Sequence, residues 1–463
     1  MKKLLCMLLM LSMLLSLASC AKAESEPLDH APGSGIAVDP SGGYDTAPTY
    51  GTDDVSDSAA DSRSEATFTA ASTTAAATWE MVMEGEVLAE ASKAAADAVK
   101  EGAFDVAVTE GLVPAVTERP KEPEVQVGSG MLTAGEWKDL ENIDFWVKVL
   151  NNNDWYKMME KRGLFANKIV PVKVVDGNGT PCFNVPVSLT NSDGKVIYSA
   201  VSDVNGMAYL LYDLDNTKET VGHIVVGGTR YDISAQDQTV VNLASAGVSA
   251  TKLDLLFMVD TTGSMGDELS YLQAELRDVI RKVAEAGQVF AINLSVNFYR
   301  DTGDEYVVRS FEFTSDIDKA ISQLSEQSPN GGGDYAEAVH LALEDIVNNH
   351  QWRDGAVKLC FMVLDAPPHT DREIKGIDDR MQTTVMTMAE RGIRFIPLAS
   401  SGVDTETEFL LRSWAVMTGG TYTFLTNHSG IGNSHLEPTI GEYEVEKLND
   451  LLVRVICEYC GIK

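Results

Sequence analysis

Leu253-Asp254-Leu255-Leu256-Phe257-Met258-Val259-Asp260-Thr261-Thr262-Gly263-Ser264 is the stretch from which the rest of the chain can be read. Residues 253–259 are almost continuously apolar. A run of that length without alternation predicts a strand covered on both faces, as in a parallel sheet. Asp260 follows at once, and a bare carboxylate at the end of a buried strand is costly unless something positive compensates it. Asp260, Thr262 and Ser264 place a carboxylate and two hydroxyls at alternating positions of one loop. Hard oxygens in that pattern suit Mg2+ or Mn2+.

The same design recurs downstream. Residues 357–364 form a second apolar run, and Asp365 ends it. Further strands are expected at 290–298, 306–313, 393–398 and 422–425. Helical spacing separates them at 265–286, 317–324, 335–347, 378–391, 406–417 and 445–459. This alternation predicts an α/β domain with a doubly wound, mostly parallel sheet. Ligands in such folds bind beyond the C-terminal ends of the strands, where Asp260 and Asp365 stand. Gly331-Gly332-Gly333-Asp334 opens a helix, and its glycines allow close backbone approach. Asp334 supplies another oxygen there, or else forms a capping box with Glu337. Ser264 is likewise either a ligand or a helix cap. His369 lies nearby in sequence and is read as a bystander, and Arg300, Asp301, Asp304 and Glu305 as a charged loop.

The ordered trio of Asp260-Thr261-Thr262-Gly263-Ser264, the glycine-rich loop and Asp365 resembles the metal-ion-dependent adhesion site of von Willebrand factor A (VWA) domains. The strings "VDTTGSMGDE", "FYRDTGDEY", "GGGDYAEAV", "VLDAPPH" and "GGTYTFLTNHSGIGN" are similar to a bacterial surface branch of that family. The resemblance runs from Thr251 to Lys463 and implies metal contacts from Asp260, Thr262 and Ser264, with Asp365 in or just behind them. Family members often place a Thr in the glycine-rich loop. Here Asp334 stands nearest, which adds negative charge and weakens the pull on an acidic partner.

Upstream, short strands are expected at 169–175, 185–189, 196–201, 208–212, 223–226 and 239–243. Turn signals such as Asp176-Gly177-Asn178-Gly179 separate the first four, predicting a small β-sandwich. "VDGNGTPCFNVPVSL" and "SDVNGMAYL" resemble immunoglobulin-like or carboxypeptidase-regulatory-like modules, and a spacer role is expected. Residues 79–105 carry helical spacing. Residues 21–78 are too poor in large apolar groups to fold and read as a disordered tether. Lys2, Lys3 and an apolar run to Leu17 form a signal peptide, and Leu17-Ala18-Ser19-Cys20 resembles a bacterial lipobox with Cys20 lipidated. The expected organisation is a signal peptide over 1–19, lipidated Cys20 and linker over 20–78, helix and linker over 79–127, an immunoglobulin-like sandwich region over 128–248 and the VWA domain over 250–463.

The 463 residues carry 36 Lys+Arg against 69 Asp+Glu, a net charge of -33. Without a clustered basic patch, nucleic acid is excluded as a partner. Cys182 and Cys360 are expected as buried thiols, and Cys457 and Cys460 lack the further ligands a zinc site needs. The resulting expectation is a secreted, lipid-anchored adhesion protein on the outer face of a bacterial membrane, not an enzyme, binding a protein partner through its metal. The alternative is a structural component of a membrane-associated complex. A phosphatase-like reading rests on likeness to the DKTGT loop of P-type ATPases, but Thr261 occupies the position of its lysine.

Overall fold

The computed structural model describes residues 128–235, 238–286 and 290–462. The expected signal peptide, the lipidated Cys20, the tether and the helix of 79–105 all fall outside the described residues. The described part begins with strand β1 (Thr133–Trp137) and helices α1 (Ile143–Leu150) and α2 (Asn153–Arg162). Strands β2 (Ile169–Asp176), β3 (Pro186–Asn191), β4 (Val196–Val201), β5 (Met207–Leu211), β6 (Val221–Val226), β7 (Thr229–Tyr231) and β8 (Thr239–Leu243) follow. Alternation then sets in: β9 (Lys252–Asp260), α3 (Gly266–Ala286), β10 (Ala291–Tyr299), β11 (Val308–Arg309), α4 (Ile317–Ser325) and α5 (Val339–Asn348). It continues with β12 (Val357–Leu364), α6 (Ile377–Glu390), β13 (Ile393–Ala399), α7 (Thr405–Thr418), β14 (Tyr422–Leu425), β15 (Glu446–Lys447) and α8 (Leu448–Cys460).

The large sheet has the order β11-β10-β9-β12-β13-β14-β1-β15. Its five central strands, β10, β9, β12, β13 and β14, are parallel neighbours, and β11, β1 and β15 add antiparallel edges. The period-2 rule for strands explains why β9 is apolar on both faces from Leu255 to Val259. Leu253, Leu255, Phe257 and Val259 enter a core with α3, α4 and α8. Leu256 and Met258 enter the opposite core with α5, α6 and α7. Helices therefore cover both faces, as the alternation implied.

The seven strands β2 to β8 form two sheets, β5-β2-β8 and β4-β3-β6-β7. Their inward residues, among them Val172, Leu189, Leu210 and Ile224, share one core. Turns at 176–179, 191–194 and 203–206 close with backbone bonds of 2.9, 3.0 and 2.8 Å.

Two features depart from the sequence reading. Residues 133–137, grouped there with the sandwich, pair with β14 and β15 inside the large sheet. Gly135 permits this, because a Cβ there would lie 2.6 Å from the Phe424 ring. The sandwich, expected as a spacer, shares its core with α6 and α7. Tyr198 donates to the Met417 carbonyl at 2.6 Å, and Arg394 donates to the Val201 carbonyl at 2.5 Å. Arg412, wholly buried, pairs with Glu408 at 2.9 Å and reaches back to Asp139 at 2.7 Å.

Candidate metal centre

β9 and β12 are parallel neighbours, paired from Val357↔Leu253 to Val363↔Val259. Their ends therefore bring Asp260 and Asp365 to the same C-terminal edge. Asp260 Oδ1 accepts from the Thr262 backbone N–H at 2.8 Å and from its hydroxyl at 2.7 Å. The Thr262 and Ser264 hydroxyls are 3.1 Å apart. The glycine-rich loop is tied to this turn: Gly263 N–H donates to the Gly331 carbonyl, and Asn330 N–H to the Thr261 carbonyl, both at 3.0 Å. Gly331 and Gly332 have positive φ, +81° and +71°. A Cβ on Gly331 would stand 2.3 Å from Asp304 Oδ2, and one on Gly332 would stand 3.0 Å from Glu337 Oε1 and 3.3 Å from Thr262 Cβ. Only glycine allows the backbone to pass this close.

Three carboxylate oxygens here are buried without a hydrogen-bond partner: Asp260 Oδ2, Asp365 Oδ1 and Glu337 Oε2. β9 carries its own control. Asp254, at the opposite end of the same strand and equally buried, has both oxygens satisfied by Arg353, each at 2.6 Å. Among the described residues no Lys, Arg or His forms an ion pair with Asp260, Asp365 or Glu337. Arg300, which directly follows β10 at this same edge, instead donates to the Thr261 and Ser328 carbonyls at 3.2 and 2.9 Å.

The electrostatics follow. Burial, reinforced by Asp365, pushes Asp260 up from the usual carboxylate range. Burial also raises Asp365, against the opposing effect of the Ser264 hydroxyl. Burial first, then Asp260, Asp301, Asp365 and Asp304, raise Glu337 to about 9. A pocket of mutually repelling carboxylates with orphaned oxygens fits a hard divalent cation, which would neutralise them and complete their bonding.

Asp260, Thr262 and Asp365 are buried together at this edge, and Ser264 lies at its exposed rim. Asp334 is exposed, and its carboxylate groups with His369 and Glu373, all within 4.8 Å of one another. The capping alternative for Asp334 fails. α5 starts at Val339 rather than at 335, with Ala338 as N-cap and no side-chain cap bond. The Glu337 N–H is engaged instead, donating to the Pro367 carbonyl at 2.9 Å. Glu337 is the buried acid that sequence reading assigned only to a cap. Its one sequence sign is the apolar flank of Ala336 and Ala338, which equally marks a helix start.

Residues 254–427 match a family described as the von Willebrand factor type A domain. This segment is a VWA domain. Such domains generally mediate protein–protein interaction or adhesion, are typically non-enzymatic and often bind a divalent metal. Over 120 residues the chain is 33% identical to an ariadne-like RING finger protein, R811, of Acanthamoeba polyphaga mimivirus, covering 25% of this chain and 11% of that protein. Over 122 residues it is 28% identical to the alpha-protein kinase vwkA of Dictyostelium discoideum, covering 25% of this chain and 19% of the kinase. The chain thus spans a small part of either curated relative. The crystal structure of the conserved hypothetical protein BatB from Bacteroides thetaiotaomicron aligns with 12% identity and a TM-score of 0.31, over 45% of this chain and 99% of that one. Among the described residues no helix is long and apolar enough to cross a membrane.

Proposed function

We propose that this chain binds a protein partner through a divalent cation, Mg2+ or Mn2+, held by Asp260, Thr262, Ser264 and Asp365, with Glu337 as an additional buried acid. The observation that carries the reading is the contrast along β9: Asp254 has a guanidinium, whereas Asp260 keeps a buried oxygen that no cation of the described residues reaches, with only the buried Tyr299 hydroxyl, besides Thr262, interacting with the carboxylate. When bound, the cation supplies a Lewis-acidic centre for an oxygen ligand on the partner. The chain's own residues set how strong that attraction is. Thr262 fixes one Asp260 oxygen and leaves the other free. Asp365 and Glu337 set the charge against which an incoming carboxylate is weighed. With Glu337 protonated, Asp260 and Asp365 balance a 2+ ion; with Glu337 ionised, an acidic partner is disfavoured.

We further propose that the chain is displayed on the outer face of a bacterial membrane through lipid on Cys20. The basic, apolar and Leu17-Ala18-Ser19-Cys20 segments of the sequence support this. Cys20→Ser should then release the chain from membranes and abolish labelling by a fatty-acid probe.

The central test is calorimetric titration of Mg2+ and Mn2+ into the chelator-stripped full chain, alongside Asp260→Ala with its fold checked by circular dichroism. Saturable binding lost in the variant supports the reading. A folded wild-type chain that binds neither ion rules it out.

A further inference from the structure

His369 stands in a setting that a bystander does not require. Its ring is buried, and Nε2 lies 2.9 Å from Asp301 Oδ1. An ionised carboxylate only accepts hydrogen bonds, so in the neutral ring Nε2 carries the proton and Nδ1 keeps its lone pair. Nδ1 is buried and has no hydrogen-bond partner. It points at two acids: Glu373 Oε2 is 3.7 Å away, and the Asp334 carboxylate lies within the same 4.8 Å group.

We propose that His369, Asp334 and Glu373 form a second divalent-metal site, separate from the Asp260 pocket and suited to a borderline ion of the Zn2+ class. One imidazole nitrogen with two carboxylates is a donor set for Zn2+ and its neighbours, whereas Mg2+ prefers oxygen alone. Zn2+ ligands stand about 2.0–2.2 Å from the metal, so tetrahedral donors are about 3.3–3.5 Å apart. The Nδ1–Oε2 separation of 3.7 Å is already close to that edge. Asp334 and Glu373 are exposed, and rotation of the Asp334 side chain closes the remaining gap.

The histidine is held in place from several directions. Asp301 orients the ring as the carboxylate of a carboxylate–histidine–metal arrangement. The His340 ring packs edge-on against it, with centroids 6.4 Å apart. Its backbone is fixed too: Arg162 donates to the His369 and Pro368 carbonyls at 3.1 and 3.4 Å. His369 and Glu373 are both fixed, the latter through Thr370, whose N–H and hydroxyl donate to Glu373 Oε2 at 2.6 and 2.8 Å, and the exposed Asp334 leaves an open path for the ion. Asp334 sits on the glycine-rich loop and His369 follows Asp365, so an ion here would clamp together two segments that border the Asp260 pocket.

The site shares no donor with that pocket, so it stands or falls independently of the proposed adhesion site. The test uses the full chain, stripped by chelator and then held in excess Mg2+. Zn2+ is titrated calorimetrically, and Co2+ serves as a visible-absorption probe of nitrogen ligation. Expected is saturable Zn2+ binding, weakened at least roughly tenfold by Asp334→Asn and by His369→Gln, and retained in Asp260→Ala. Asp334→Asn alters an exposed side chain, so its result does not depend on refolding of the core. The proposal is overturned if wild-type chain in excess Mg2+ takes up no Zn2+. It is equally overturned if Asp334→Asn and His369→Gln bind Zn2+ as tightly as wild type, or if only Asp260→Ala abolishes uptake.

Discussion

Replacing Glu337 by Gln should stabilise the metal-free protein, an unusual result for a buried residue. Glu337 titrates near its ordinary 4.5 when unfolded and is raised to about 9 in the fold. Above pH 4.5 the unfolded chain releases this proton while the folded chain keeps it. Folding stability therefore falls as pH rises, by about 1.4 kcal/mol per pH unit, until the folded group itself ionises. At pH 7 the accumulated penalty is about 3 kcal/mol as an upper bound. Glutamine fills the same volume without that penalty. In chelator, Glu337→Gln should raise the denaturation midpoint of the full chain at pH 7, with the gain vanishing near pH 4.5. In saturating Mg2+ the advantage should shrink or reverse, because binding stabilises the native state by RT ln(1 + [L]/Kd) and the variant has lost an anionic oxygen. A variant no more stable than wild type at pH 7 in chelator, or one whose gain is the same at pH 4.5, would refute the carboxylate-repulsion account.

Mg2+ affinity should fall as pH is lowered from 8 to 6, since burial raises Asp260 and Asp365 and protons then compete for the same oxygens; calorimetry at several pH values measures this. Asp254→Ala should cost about 2–3 kcal/mol in chelator and in Mg2+ alike, because it strands the partly buried Arg353 and has no part in metal binding; denaturation under both conditions separates it from Asp260→Ala. Arg162→Ala should cost about 3 kcal/mol and loosen the 365–376 segment, as the buried guanidinium pairs with Glu406 at 2.7 Å and Asp378 at 3.0 Å; hydrogen exchange of that segment should rise.

Central strands were legible because burial on both faces admits few polar residues, and those it admits, such as Asp254 and Arg394, are paired. β9 and β12 read as continuous apolar runs, and their terminal acids stood out for the same reason. Edges were harder. β1 carries Gly135 and Glu136 in five residues and pairs with Leu425 and its neighbours almost 300 positions away, so no local pattern announces it. The strand expected at 306–313 shrinks to Val308–Arg309. There the Phe311 N–H is captured by the Asn297 side chain at 2.7 Å instead of continuing the ladder. The closing helix starts at Leu448 rather than 445, since Glu446 and Lys447 pair with β1.

The site divides along the same line. Asp260, Thr262, Ser264 and Asp365 sit on or beside a strand end, and strand position alone determines where they go. Asp334 and Glu337 sit on a glycine-rich loop, where three residues can reverse inward and outward. Spacing from the helix favoured Asp334 as the inner oxygen or as a cap. The chain instead uses its backbone at 337 to bridge to Pro367, which delays the helix and turns Glu337 into the pocket. Asp334 is left on the outside, beside a histidine that no periodicity could link to it, because 34 residues, a helix and a strand lie between them. A pocket with three buried acids and, among the described residues, no cation paired to them is strained by construction. That strain is relieved by a proton on Glu337 or by a metal ion, and which of the two prevails sets the charge the pocket presents to a partner.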